Sequence, residues 1–74
     1  MAKFEIKSEI AGTVLTIEVK EGDAVAEDAE IALVEAMKME IPVTATKAGV
    51  ITSINVQVGA VIAEGDVVAI AEAS

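Results

Sequence analysis

The sequence predicts an all-β fold, a flattened antiparallel β-barrel built from two similar halves, on three observations. Residues 11–36, AGTVLTIEVKEGDAVAEDAEIALVEA, align without gaps on residues 48–73, AGVITSINVQVGAVIAEGDVVAIAEA, at a constant offset of 37, with ten of the 26 pairs identical. Each copy holds a run of β-branched residues bounded by glycines, the pattern of a strand between turns. The 74 residues include no cysteine, no histidine and one aromatic residue, Phe4. Disulfides and Cys/His zinc sites are therefore excluded as staples, and a chain of this size must close its strands on themselves.

Lys3–Lys7 reads as an opening strand. Residues 12–20 and 49–58 read as the long strands of the two copies, each running from a glycine to a turn. Their apolar positions Val14, Ile17, Val19 and Ile51, Ile54, Val56 change from a three-residue to a two-residue spacing. A β-bulge accounts for that shift and would bend each strand around a small core. Residues 24–41, AVAEDAEIALVEAMKMEI, are harder to place, because Ala, Glu, Leu, Met and Lys favour helix and the apolar positions share a helical face. Against helix stands the matching segment 61–73, where Gly65 precedes the β-branched run Val67, Val68, Ile70. Pro42 also disfavours the α conformation at Ile41. Strand is the consistent reading, with each copy a strand, short strand, strand unit.

Antiparallel strands related by a pseudo-twofold axis then form two small sheets, and closing them protects their edges. The repeat sends Lys38 to a position just past Ser74, so the central connection should lie at the pole opposite the chain ends. Gly22, Gly59 and Gly65 read as turn residues needing positive φ. Asp28 stands where the second copy has Gly65, and Ala60 where the first has Asp23.

Thirteen acidic and five basic residues give a formal charge of −8. That sign is wrong for phosphate backbones, and one phenylalanine makes no platform for stacked bases, so nucleic acid is not an expected partner. No apolar run approaches the ~20 residues of a membrane span, so membrane insertion is not expected. The opening residues lack the apolar core of a signal peptide, and the absence of cysteine suits a reducing compartment, so a cytoplasmic location is expected. Residues 1–74 are expected to form one domain.

The segment Glu35-Ala36-Met37-Lys38-Met39-Glu40 falls at the seam between the copies and reads as a hairpin with Lys38 at its tip. A lysine between apolar residues is ordinary in a strand, and methionine commonly fills gaps in cores. Two features oppose that plain reading: soft apolar side chains at a turn are poorly buried, and the repeat supplies no matching lysine. No nucleophile and base lie nearby in sequence to suggest catalysis. An exposed lysine amine is protonated near neutrality and needs another enzyme to deprotonate it before it reacts.

On Gly12-Thr13-Val14, Glu21-Gly22-Asp23, the EAMKME segment, Ala48-Gly49-Val50, Gly59 and Glu64-Gly65-Asp66, the chain resembles the biotinyl domain, the biotin carboxyl carrier module within the biotin/lipoyl attachment family. The resemblance runs from about Lys7 to Glu72. It implies a barrel-sandwich hybrid of two four-stranded sheets and a carrier that is not itself an enzyme. It further implies biotin as the cofactor, bound to Lys38 through an amide, with Met37 and Met39 as flanking residues and Glu35 and Ala36 as part of the motif. The partners implied are a biotin protein ligase that presents biotinyl-AMP, a biotin carboxylase that loads the ureido nitrogen, and a carboxyltransferase that unloads it.

Two alternatives stand beside this reading. A lipoyl carrier shares the fold, but its lysine usually follows Asp and precedes Ala. An unmodified scaffold barrel would leave Lys38 free. Many bacterial acetyl-CoA carboxylase carriers also have a protruding thumb within the stretch matching residues 14–20 and an Ala/Pro-rich linker upstream. Neither is seen in this sequence, which points toward an acyl-CoA or pyruvate carboxylase type, a decarboxylase or transcarboxylase subunit, or a free-standing carrier.

Overall fold

The computed structural model describes residues 2–74, among which eight strands form: β1 (Lys3–Lys7), β2 (Gly12–Ile17), β3 (Ala24–Val25), β4 (Glu30–Ala36), β5 (Met39–Thr44), β6 (Gly49–Ile54), β7 (Val61–Ile62) and β8 (Val67–Ala73). They make two four-stranded antiparallel sheets, ordered β1-β8-β6-β3 and β5-β4-β2-β7. The sheets face each other in a body 37 × 19 × 18 Å in extent. No helix of the described residues is long and apolar enough to cross a membrane.

An offset of 37 exchanges the two sheets, pairing β1 with β5, β2 with β6, β3 with β7 and β4 with β8. The duplication therefore extends through β1 and β5, whose sequences KFEIK and EIPVT (residues 40–44) share no identity. What they share is burial, since Ile6 and its counterpart Val43 both point into the core. Most of the rest of the core pairs off in the same way, as Val14 with Ile51, Ile31 with Val68, Ala32 with Ala69, and Val34 with Ala71, whereas buried Ala45 and Ile62 have Ser8 and the partly buried Val25 as counterparts. The three alanines in these pairs let two thin sheets approach closely enough to exclude water.

Both predicted bulges are present, between Val14 and Thr16 against β4 and between Ile51 and Ser53 against β8. Each extra residue changes which face the strand presents, and this produces the irregular apolar spacing in the sequence. The long strands end at Ile17 and Ile54, earlier than residues 20 and 58. The backbone leaves the ladder there to enter tight turns, closed by Asp23 N–H donating to the Lys20 carbonyl (3.0 Å) and Ala60 N–H donating to that of Gln57 (3.0 Å).

Segment 24–41 holds no helix and is made of β3, a turn at 26–29, β4, the two-residue loop 37–38 and the start of β5, so strand prevails as the repeat requires. Helical propensity loses because β4 is paired on both sides and buries Ile31, Ala32, Val34 and Ala36, whereas an isolated short helix has only weak local preferences behind it.

The turns show how the two copies differ. Asp23 Oδ2 accepts the Lys20 N–H (3.0 Å), a cap that Ala60 cannot supply in the second copy, yet the turn keeps its backbone bond. Asp28 holds the left-handed conformation (φ 71°) that Gly65 holds in the other half (φ 89°). Gly12 and Gly49 serve a different need, close approach. A Cβ on Gly12 would collide with the Glu35 carbonyl oxygen and lie 2.7 Å from Val34 Cγ1, and one on Gly49 would collide with the Glu72 carbonyl oxygen.

Two substitutions with opposite signs test this account. Gly12→Ala should destabilise the barrel by about 3 kcal/mol, because the obstacle is backbone and cannot swing aside. Asp28→Gly should stabilise it by about 0.5–1 kcal/mol, the relief of the left-handed conformation being partly offset by the greater freedom of glycine in the unfolded chain. Urea midpoints at unchanged m-value read both effects.

Candidate functional site

The β4–β5 hairpin closes on the pair Ala36 and Met39, leaving Met37 and Lys38 as a two-residue loop. Their φ values, 52° and 65°, are the two consecutive positive angles of a type I′ turn. Strand twist selects that turn, because its own twist matches the right-handed twist of the flanking strands. Residue preference does not, since Asn-Gly is the usual choice and neither Met nor Lys favours the left-handed region. The fold thus imposes on Met37 and Lys38 a conformation that their side chains resist.

The strained turn places Lys38 at the extreme end of the hairpin, exposed, with no ion pair to its amine among the described residues. The methionines beside it are also in solvent, Met37 at 88% and Met39 at 62% exposure. Ala36 is buried and seats the end of β4 in the core, while Glu35 points outward directly opposite Glu40 of β5. Below the turn, Gly12 lets β2 pass hard against Glu35. A mobile four-carbon side chain therefore projects from a base held by packed backbone.

The chain ends meet at the other pole, where Ala73 N–H donates to the Ala2 carbonyl (2.8 Å) and Ser74 N–H to that of Ala48 (3.3 Å). No group of His, Cys, Asp or Glu among the described residues could hold a metal ion. A hollow of about 310 Å³ lies on the flank between the β1–β2 connection and β5, with Ile10, Ile41 and Pro42 in its wall.

The five residues singled out from sequence, Glu35, Ala36, Met37, Lys38 and Met39, are brought together on one hairpin, with Ala36 turned inward. The strain at Met37 and Lys38 was not legible, because nothing in a Met-Lys pair signals positive φ. The opposition of Glu35 and Glu40 depends on register, which a two-residue loop at the lysine would have fixed.

A barrel of two four-stranded sheets that presents one lysine at a hairpin tip has the architecture of a small carrier module. The family described as "Biotin-requiring enzyme", of the biotin/lipoyl type, matches residues 2–70. The chain belongs to the biotin/lipoyl attachment family, whose domains are non-catalytic carriers.

Over 44 residues it is 50% identical to the mitochondrial propionyl-CoA carboxylase alpha chain of Homo sapiens, a match covering 60% of this chain and 6% of that protein. Over 45 residues it is 44% identical to a biotinylated protein homologue of Mycobacterium leprae, covering 61% of this chain and 63% of the relative. Among solved structures, the urea carboxylase of Kluyveromyces lactis superposes with a TM-score of 0.91 at 30% identity, over 97% of this chain and 6% of that enzyme. The matches thus span less than two thirds of these relatives' own lengths, and only a small part of the large carboxylases.

Replacing Met37-Lys38 by Asn-Gly should stabilise the protein by about 1–3 kcal/mol while removing the only side-chain amine at this tip. Urea unfolding of the two proteins side by side measures the gain, and an unchanged midpoint would show that the turn stores no strain.

Proposed function

We propose that the chain is a biotin carboxyl carrier, residues 1–74 acting as one biotinyl domain, with biotin held in amide linkage to Lys38. The observation that carries this reading is the display of Lys38 at a strained tip between two exposed methionines. The exposed, unpaired amine fits an acyl group without any rearrangement of the barrel.

A biotin protein ligase takes the proton from the Lys38 amine, and the neutral nitrogen then attacks the acyl carbon of biotinyl-AMP, breaking its bond to the phosphate oxygen and releasing AMP. Formation of the amide removes one positive charge, taking the formal charge from −8 to −9. When bound, biotin supplies a ureido nitrogen that accepts and releases a carboxyl group. All else is positioning by this chain. Lys38 lends reach, Met37 and Met39 set an apolar collar at the foot of the arm, and the barrel keeps that foot fixed. Tethering raises the effective concentration of the cofactor at each partner site, so that one arm serves a biotin carboxylase and a carboxyltransferase in turn. Glu35 and Ala36 complete the motif, one as an outward charge and the other as the buried end of β4.

A propionyl-CoA carboxylase chain, a urea carboxylase and a biotinylated protein among the similar proteins support a place in a biotin-dependent carboxylase or decarboxylase. The absence of cysteine supports the cytoplasm as its location. The family also includes lipoyl attachment. Met37 and Met39, in place of the Asp and Ala usual around a lipoyl lysine, favour biotin.

Intact-mass measurement after co-expression with a biotin protein ligase tests the proposal. The expected product is heavier by one biotin amide, and Lys38→Arg should abolish the gain while the barrel stays folded. A lipoyl adduct, or no adduct at all, refutes it.

A further inference from the structure

The duplication supplies an internal reference: each position near Lys38 has a counterpart 37 residues away at the pole where the chain ends meet. The two ends share a backbone and differ in what they expose. Val58 is 63% exposed and Val61 82%, whereas the counterparts are Glu21 and Ala24 (58 − 37 and 61 − 37). The exposed Met37 and Met39 have Ser74 and Ala2 as counterparts. The trend reverses once, at Val50 (41% exposed), which stands where the Lys38 side has Thr13. Among the described residues, four of the five exposed large apolar side chains therefore belong to the sheet that bears Lys38 or to the loops that frame it.

Strand pairing connects them. Val61 lies opposite Thr13, Thr13 opposite Glu35, and Glu35 opposite Glu40, so all four project from one outer face. At about 4.8 Å per strand, Val61 is roughly 10 Å from Glu35 and 14 Å from Glu40. Val58 sits in the turn leading into β7, held on β2 by Gly59 N–H donating to the Val14 carbonyl (2.8 Å) and Val14 N–H donating to that of Ala60 (2.9 Å).

Charge points the same way. On the reference row Lys3 faces Glu72, an opposite-charge pair, but on the Lys38 row Glu40 faces Glu35. Like charges directly opposite each other weaken a sheet, and nothing beside them on that row neutralises the pair. A complementary surface is basic around apolar side chains. A second copy of this chain is not, since it would bring the same two glutamates and a further charge of −8.

We infer that this face, from Glu40 and Glu35 across to Val61 and the adjoining Val58, with the exposed Met37 and Met39 at the turn beside it, is where the enzyme that acylates Lys38 docks, through apolar side chains flanked by arginine or lysine. The inference rests on the proposed function and extends it to residues outside the EAMKME motif. The acylating enzyme meets the chain before any cofactor is attached and must choose among five exposed lysines, Lys3, Lys7, Lys20, Lys38 and Lys47. Only the surface around the lysine can guide that choice, whereas later partners have the attached cofactor to grip. Desolvating two valines and pairing two glutamates gives such a surface both energy and orientation.

The duplication also supplies the test. Val58→Glu with Val61→Ala installs the residues that the same scaffold carries at its other pole, so folding is retained, and an unchanged urea midpoint checks this. With a purified biotin protein ligase and intact mass as readout, the double variant should lose about tenfold or more in kcat/KM, carried by KM. The reciprocal Glu21→Val with Ala24→Val should transfer at the wild-type rate.

Equal kinetics for the double variant and the wild type, or a loss in kcat alone, overturns the docking face and leaves the carrier reading intact. A wild-type chain that accepts no biotin removes both. A wild-type dimer that the double variant dissolves, with transfer unchanged, assigns the patch to self-association and overturns the inference as well.

Discussion

The approach of β2 to β4 at Gly12 is the constraint on which the hairpin depends. With hydrogen in place of a side chain, β2 lies against the Glu35 carbonyl and Val34 Cγ1, at the height where β4 is about to turn. That contact keeps the last residues of β4 in the sheet until Ala36, so the reversal to β5 must be made in two residues. A two-residue reversal between twisted strands takes a type I′ or II′ turn, with positive φ at the first position or at both, and here both are positive. The strained geometry of Met37 and Lys38 is thus a consequence of packing one layer below them, and Gly49 against Glu72 repeats the contact at the other pole.

Strain at a tip is tolerable only where the structure beneath over-determines it. Here β4 is paired on both sides and Ile31, Ala32 and Val34 are fully buried. A looser hairpin would relax by fraying, and the amine of Lys38 would then sample a wide volume instead of pivoting from one point. For a carrier the distinction matters, because the reach of the arm should come from side chain and cofactor, while the foot stays where a partner can find it.

Much of this architecture was legible because it is written twice. The offset of 37 gave the repeated strand, short strand, strand unit and overrode the helical propensity of segment 24–41, while the apolar spacing within each copy gave the bulges. The offset also placed Lys38 away from the chain ends. Where the copies diverge, legibility fades. The kinship of β1 and β5 was hidden because KFEIK and EIPVT share only an inward aliphatic residue, and a sheet edge asks for little more. The ends of β2 and β6 were read too far, since residues 18–20 and 55–58 keep a strand-like composition after the backbone has left the ladder. Lys38 itself stood out through its neighbours, but its backbone angle did not, because tertiary packing sets it. Val58 and Val61 passed unremarked because an exposed valine is unremarkable until its counterpart is seen to be Glu or Ala.

A duplicated fold separates two kinds of selection within one chain. Positions that must match for the sheets to close are alike in both halves: glycine at 12 and 49, aliphatic residues at 14 and 51, alanine at 32 and 69. Exposed positions that differ at the two poles while sharing the same backbone, and that do nothing for packing or turns, answer to something outside the barrel. At the pole of the chain ends that residue set is Lys3, Glu21 and Ala24, a charged surface that suits contact with solvent. At the pole of Lys38 it is Glu40, Val58 and Val61, with Met37 and Met39 at the turn. Stability accounts for none of these five: the glutamate opposes another, the valines and methionines lie in water, and Met37 occupies a conformation that favours other residues. Residues that cost the isolated barrel something and return nothing to it are explained by a complex in which they are covered, and they surround the one amine that the fold holds furthest from its ends.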